Sequence, residues 1–546
     1  MGKTWILMVT CAIMLSGMEA FACTGLLVGK KASVDGSVMI SYAADSHTLY
    51  GELYRWPAAT WPKRAMLDII EWDTHKPLGQ IPQVEQTYSV VGNMNEHQVA
   101  ITESTFGGRP ELVDTTGIMD YGSLIYVTLQ RSKTAREAIR IMTDLVKDYG
   151  YYSSGETFSI ADKNEAWVME MIGKGPGNKG AVWVAIRIPD DCISAHANQS
   201  RIQQIPFDDK ENCIYSPDVV SFAREKGYFS GRDKDFSFQK AYCPYDFSAL
   251  RGCEARVWSF FRKYDKSMDQ YMDLIKGDAM KKPMPLYVKP DRLLSVRDVQ
   301  NGMRDHFEGT DLDMTKDAGA GPYKVPYRWR PMTFEVDGQE YTNERAIATQ
   351  QTGFVIVPQM RNWLPDAVGG ILWFGVDDAD MAVFTPIYCS VTASPECYRV
   401  GNGDMMNFSW TSAFWIHNWV ANMAYGKYSY MIQDIRLVQQ ELENSYQQTI
   451  PAVDKAASEL YAKNPAEAVK FLTWFSSTTA DQATARWKKL GEYLLVKYMD
   501  GNVKKEENGH FKQNGYGLSE YPDFPGYDED YYRSIVKSAG DKLKVK

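Results

Sequence analysis

The chain has 546 residues, a formal net charge of −9 at pH 7, and 44% hydrophobic, 13% aromatic and 24% charged residues. This composition excludes a disordered, fibrous or collagen-like chain, and its dispersed lysines form no basic stripe that would take DNA or RNA as a partner. The length exceeds what one small core organises, so one large domain with appendages, or two domains, is expected.

In chain order, the first element is a leader. Lys3 gives a basic start, Trp5 to Leu15 an apolar run, and Ala20-Phe21-Ala22 places small residues at −3 and −1. This pattern predicts a secretory signal peptide over residues 1–22, cleaved before Cys23. A transmembrane span needs about 20 apolar residues, so the mature protein is expected to be soluble and secreted or periplasmic.

Residues 24–30 and 37–42 predict a hairpin around Val34-Asp35-Gly36. A second is predicted over 87–106, turning at Asn93-Met94-Asn95-Glu96, and a third over 157–172, turning at Asp162-Lys163-Asn164, with 180–188 as a further strand. Between them lies a helix over 134–148. Thr134 and Glu137 form its capping box, Ala135, Ala138, Ile139, Met142, Leu145 and Val146 share one face, and Gly150 stops it.

Residues 351–391 return to strands, and segments near 411–424, 430–446, 451–462, 465–476 and 480–499 read as helices. The expected organisation is a main domain over 23–407, a helical region over 408–500 and a polar tail over 501–546. Helices packed on antiparallel sheets predict an α+β layered sandwich.

Of eight cysteines, Cys11 falls in the leader. Six others group by proximity as 192/213, 243/253 and 389/397, which suits three local disulfides in an oxidising compartment. Cys23 is left over, as a reactive or modified thiol. If cleavage makes it residue one, it carries both a thiol, with a reference pKa of about 8.5, and an α-amine near 7.7–8.0 that can act as base without a histidine. One residue then supplies nucleophile and base, the logic of N-terminal-nucleophile hydrolases.

"CTGLLVGKKASVDGSVMI", "GNMNEHQVAITESTFGG", "RSKTAREAI", "GETFSIADKNEAWVMEMIGKG", "AHANQSRI", "RDHFEGT" and "LPDAVGGILWFG" run in order from residue 23 to about 375. Together they resemble the secreted dipeptidase A family of cysteine N-terminal-nucleophile hydrolases, related to choloylglycine hydrolases and penicillin V acylases. The resemblance implies a four-layer αββα sandwich with a helical C-terminal appendage, no cofactor or metal, and hydrolysis of dipeptides with a free amino terminus.

It also implies Cys23 as nucleophile, Asp45 in "YAAD" beside it, Asn198 as oxyanion donor and Arg256 as a supporting arginine, with Arg251 close by in sequence. Tyr42 stands where the wider superfamily has arginine. On the same resemblance, a backbone N–H from the Asn93–Asn95 turn is expected to complete the oxyanion site, and Asn95 is expected in substrate binding. A substrate's ammonium calls for a carboxylate, and Glu103 and Asp45 are the candidates.

Lipidation of Cys23 would make a surface lipoprotein, but such signals favour a leucine-like residue at −3 and small ones at −2 and −1, where this chain has Ala20, Phe21 and Ala22. A linear-amide acylase and a homo-oligomer stay open. A cysteine–histidine pair using His196 or His306 lacks any papain-type signature. Asp305-His306-Phe307-Glu308 has the wrong spacing to converge on a metal. "DLDMTKDAGAGP" lacks a calcium loop's glycine at position six and acid at position twelve.

Overall fold

A computed structural model describes residues 23–545. The expected signal peptide, residues 1–22, lies outside the described residues. The chain is α+β, built around two antiparallel sheets of eight strands each.

The first sheet runs in the order Tyr287–Val288, Ile193–His196, Gly25–Val28, Val38–Ile40, Thr352–Met360, Gly370–Val376, Thr385–Tyr388, and Tyr42–Asp45 also pairs with Thr352–Met360. The second runs Cys213–Tyr215, Ala181–Ile188, Ala166–Gly173, Gly155–Ala161, Ala100–Gly107, Met94–Asn95, Val90–Val91, Arg55–Trp56.

Alternation along the strands sorts side chains to two faces. Val168 and Ile172 join Leu27, Val38 and Ile40 in the apolar layer between the sheets. Trp167, Met169 and Met171 point the other way, against Leu124, Ile139, Met142 and Leu145 of helices Tyr121–Leu129 and Ala135–Tyr149. On the first sheet, Leu26, Met39, Val355 and Val357 pack with Trp258, Phe260, Val299, Val420 and Trp487 from helices.

The three expected hairpins form, with one difference. The reversal around residues 93–96 is a double one: Met94–Asn95 pairs with Val90–Val91 on one side and with Ala100 on the other. Helix Ala135–Tyr149 has the predicted cap, Thr134 accepting from the Glu137 N–H. Glu137 reaches back one residue further than expected, to the Lys133 N–H.

The C-terminal helices are longer than the sequence pattern suggests. Tyr428–Lys463 runs unbroken through Pro451, and Pro465–Lys497 is a single helix. Proline removes one backbone hydrogen bond, but Ile450 and Val453 on either side are buried in the core and hold the helix together. Asn464 caps the following helix by accepting from Ala466 and Glu467, with Pro465 in its first turn.

These helices share the first sheet's core and are tied to it by charge. Arg361 and the Tyr388 hydroxyl both bond Asp454, and Glu443 receives Arg297 and Arg304. The tail holds a small hairpin, Glu506–Glu507 with His510–Phe511, and helix Glu529–Ala539. Among the described residues, no helix is long and apolar enough to cross a membrane.

The disulfide expectation is overturned: all seven described cysteines are free. Closeness in sequence does not bring the sulfurs together. Cys389 packs against Gly370 and bonds the Asp366 carbonyl, whereas Cys397 lies in the separate core near Asp481 and Thr484. Cys243 faces the Phe106 carbonyl and Gln199.

Candidate active site

Cys23 leads into strand Gly25–Val28 through Thr24, whose backbone pairs with Ala43. Its side chain is 5% exposed and lies in the wall of a cleft of about 430 Å³. The sulfur is 3.5 Å from Glu103 Oε1 and 3.7 Å from the Tyr42 hydroxyl. Tyr42 in turn donates a short hydrogen bond to the same Glu103 oxygen.

Burial pushes the thiol well above its ordinary pKa, and the Glu103 and Asp45 charges add to this; the Asp45 backbone N–H and Tyr42 oppose it. With Cys23 inside a peptide bond, the sulfur is therefore protonated at neutral pH.

Glu103 is 1% exposed and sits on strand Ala100–Gly107. Its neighbour Glu156, equally buried, lies on the adjacent strand, where the register pairs Glu103 with Phe158 and Thr105 with Glu156. Glu156 Oε1 accepts from the Thr105 hydroxyl at 2.6 Å. The Oε2 atom of each carboxyl is buried without another donor.

Among the described residues neither carboxyl forms an ion pair, and two adjacent buried charges without a cation cannot both persist. Above about pH 7 the pair keeps one proton, and below it both carboxyls are protonated. Burial raises Glu103 to about 7, and burial followed by the Glu103 charge pushes Glu156 higher, so the proton belongs chiefly to Glu156.

Asp45 closes strand Tyr42–Asp45 and is occupied. It accepts from Arg345 Nη2 at 2.6 Å and from the Thr352 hydroxyl at 2.7 Å. Burial raises its pKa, and Arg345 opposes the rise. Of the two carboxylates proposed for a substrate's ammonium, Glu103 is the one without a cation.

Arg256 does not touch the sulfur. Its guanidinium donates to the Cys23 carbonyl at 2.7 Å, the Thr24 hydroxyl at 2.8 Å and Asn198 Oδ1 at 2.9 Å. Burial lowers its pKa to about 10, with the Arg345 charge adding to the effect. Asn198, at a positive φ of 55°, donates through Nδ2 to the Thr105 carbonyl at 2.7 Å. Arg251 is bound instead to Glu344.

Asn95 is not among the residues lining the cleft. Its side chain donates to the Leu129 and Ser132 carbonyls and accepts from the His97 and Val99 N–H groups, holding its turn together. Asn93 from the same turn does line the cleft, and its Nδ2 donates to the Ile101 carbonyl.

Neither histidine considered as a base meets the thiol. His196 is clamped between the Ser104 and Ser159 hydroxyls, at 2.6 and 2.7 Å, and burial lowers its pKa to about 3. The ring lies so close over Gly25 that a Cβ there would stand 2.5 Å from Nε2. His306 faces Glu308 and Tyr327.

Away from Cys23 the cleft is walled by Tyr54, Trp72, Tyr121 and Tyr126, with Glu52, Asp73 and Asp404 among its polar groups. Tyr121 donates to Asp73 at 2.9 Å.

Sequence reasoning did not find Arg345, Glu156, Asp73 or Tyr121. Arg345 lies 300 residues from Asp45, beyond any local pattern. For Glu156 there was a signal: its place two residues from the position opposite Glu103 in a predicted sheet.

The profile of peptidase family C69 matches residues 22–54 and 52–441. A probable dipeptidase of Latilactobacillus sakei is 27% identical over 486 residues, covering 84% of this chain and 92% of its own. A probable dipeptidase of Salmonella dublin is 25% identical over 407 residues, covering 69% and 83%. Dipeptidase A of Lactobacillus helveticus is 24% identical over 453 residues, covering 79% and 86%.

Proposed function

The chain belongs to peptidase family C69, and we propose that it is an exported cysteine dipeptidase whose nucleophile is Cys23, freed as the mature amino terminus. The observation that carries this reading is the Cys23 sulfur in the cleft wall, 3.5 Å from Glu103. The two facing sheets with helices outside them suit the four-layer αββα sandwich of N-terminal-nucleophile hydrolases.

Cleavage of the Ala22–Cys23 bond leaves an α-amine on the nucleophile itself. The amine takes the thiol proton as sulfur attacks the scissile carbonyl, forming the S–C bond and an oxyanion. Asn198, oriented by Arg256, and a backbone N–H of the Asn93 turn hold that oxyanion. Collapse breaks the C–N bond while the ammonium returns its proton to the leaving amine, leaving a thioester on Cys23. Water, deprotonated by the same amine, then attacks the thioester, and the thiol and the free amino acid are released.

A substrate carbonyl in contact with sulfur has its α-ammonium two bonds away, within reach of Glu103. Asp45, satisfied by Arg345 and Thr352, serves instead to hold the strand end and its sulfur-facing N–H in place.

The test is the mature protein's hydrolysis of a dipeptide panel beside penicillin V and bile-salt conjugates, with its intact mass measured from the secreting cell. Free amino acids from dipeptides and a mass starting at an unmodified Cys23 are expected. Cleavage of the acyl amides alone would assign a linear-amide acylase, and a diacylglyceryl mass on Cys23 would assign a surface lipoprotein; either overturns the reading.

A further inference from the structure

Four carboxylates line the cleft, Glu52, Asp73, Glu103 and Asp404, and among the described residues none of them is paired with a lysine or arginine; only Glu52 has a basic neighbour, His75. Asp45, in the same wall, is the contrast, since Arg345 neutralises it. No lysine or arginine is among the lining residues; His75 is the one basic side chain there, and the α-amine proposed on Cys23 is the other basic group.

Burial raises the pKa of both Glu52 and Asp73, as expected of carboxylates taken from water without a counter-charge. Glu103, 1% exposed, leaves Oε2 with no donor but the neighbouring carboxyl. Even with the α-ammonium proposed on Cys23 and one substrate ammonium at Glu103, the carboxylates around Asp73 and Glu52 remain in excess of positive charge.

The second cation is organic rather than metallic. Among the described residues, no three His, Cys, Asp or Glu groups converge as a metal ion requires. The carboxylates are instead spread along a wall of rings. Tyr54 and Trp72 meet edge to face at 4.7 Å, Trp72 and Tyr126 lie 4.7 Å apart, and Tyr121 spans from this wall to Asp73. Aromatic faces beside a carboxylate accept an alkyl stem and the charge at its end together.

We propose that this part of the cleft reads the side chain of the substrate's N-terminal residue, and that it selects lysine or arginine there and rejects aspartate or glutamate. The proposal rests on the peptidase reading for its substrate. Glu103 takes the α-ammonium next to the scissile carbonyl, and Asp73, with Glu52, takes the side-chain cation beyond it. An acidic side chain in the same place would face only carboxylates, and like charges in a partly desolvated cleft repel strongly.

The experiment compares kcat/KM of the mature protein on Lys-Ala, Leu-Ala and Glu-Ala, at low and high salt, with Asp73→Asn alongside. Expected are a preference for Lys-Ala over Glu-Ala of at least about tenfold, narrowing as salt rises, and a fall of about fivefold in the Lys-Ala to Leu-Ala ratio in Asp73→Asn. Equal rates on Lys-Ala and Glu-Ala, or an unchanged ratio in the variant, would overturn the proposal.

Binding of the same dipeptides to Cys23→Ala, followed by calorimetry, separates the two readings. Tighter binding of Lys-Ala than Glu-Ala supports the cationic site even if no dipeptide is hydrolysed, and equal binding refutes it even if all are.

Discussion

Cys23 Sγ lies 3.5 Å from Glu103 Oε1, a thiol set against a carboxyl that, among the described residues, no cation neutralises. Such a neighbour opposes the thiolate, as does burial. A nucleophile in this position needs a positive charge from elsewhere, and in the proposed mechanism the α-ammonium on a cleaved Cys23 supplies it. Protein starting at Cys23 should therefore react with iodoacetamide at pH 7 at least about tenfold faster than protein retaining residues ahead of it. Intact mass after timed exposure reads the rate. Equal rates would show that the amine does not act on the sulfur.

The Glu103–Glu156 pair makes a prediction about stability and pH. The Glu103 carboxyl is raised to about 7 in the folded chain, so the folded state binds its proton more tightly than the unfolded state does. Its contribution is fully present below the ordinary glutamate range, and it is lost as pH rises through about 7. Glu103→Gln carries no such charge at any pH. Its Tm relative to the unsubstituted protein should accordingly rise by about 2–4 °C between pH 5 and pH 8. A difference that stays flat, or falls with pH, would mean the pair does not share a proton.

The hairpin scheme and helix Ala135–Tyr149 were legible in the sequence because each follows from local rules: turn residues and a 3.6-residue period. What local rules miss is contact across the fold. Arg345 reaches Asp45 only after the chain has crossed both sheets. Cys389 and Cys397 are neighbours in sequence yet enter different apolar layers. Pro451 reads as a break and is not one, since the packing on both sides outweighs a single lost hydrogen bond. Asn95 and Asn93 are alike in type and turn, and only the fold separates the one that braces the turn from the one that faces the cleft.

In the proposed mechanism Arg256 is a positioning residue that acts through other groups. Its donors fix the Cys23 carbonyl and the Asn198 side chain, whose own Nδ2 is anchored on Thr105. A lysine ammonium cannot reach all these oxygens from one point. Arg256→Lys should lower kcat on dipeptides by about a hundredfold, through a misplaced oxyanion donor, while KM changes little. A KM rise at constant kcat would instead put Arg256 in substrate binding.

The Asp45–Arg345 pair separates a structural charge from a reactive one. Asp45 is fully enclosed and its oxygens are taken by Arg345 and Thr352, while its backbone N–H faces the sulfur. Removing one partner leaves the other charge buried without compensation, which costs about 3–5 kcal/mol, whereas replacing both by apolar groups of similar size is often neutral. Arg345→Met alone should therefore destabilise strongly in urea, Asp45→Leu alone likewise, and the double variant should recover most of the loss. Thiol alkylation in the double variant should remain, since the backbone N–H survives the exchange. Simple addition of the two single losses would mean that the residues do not act as a pair, and that Asp45 holds the strand end by its other contacts.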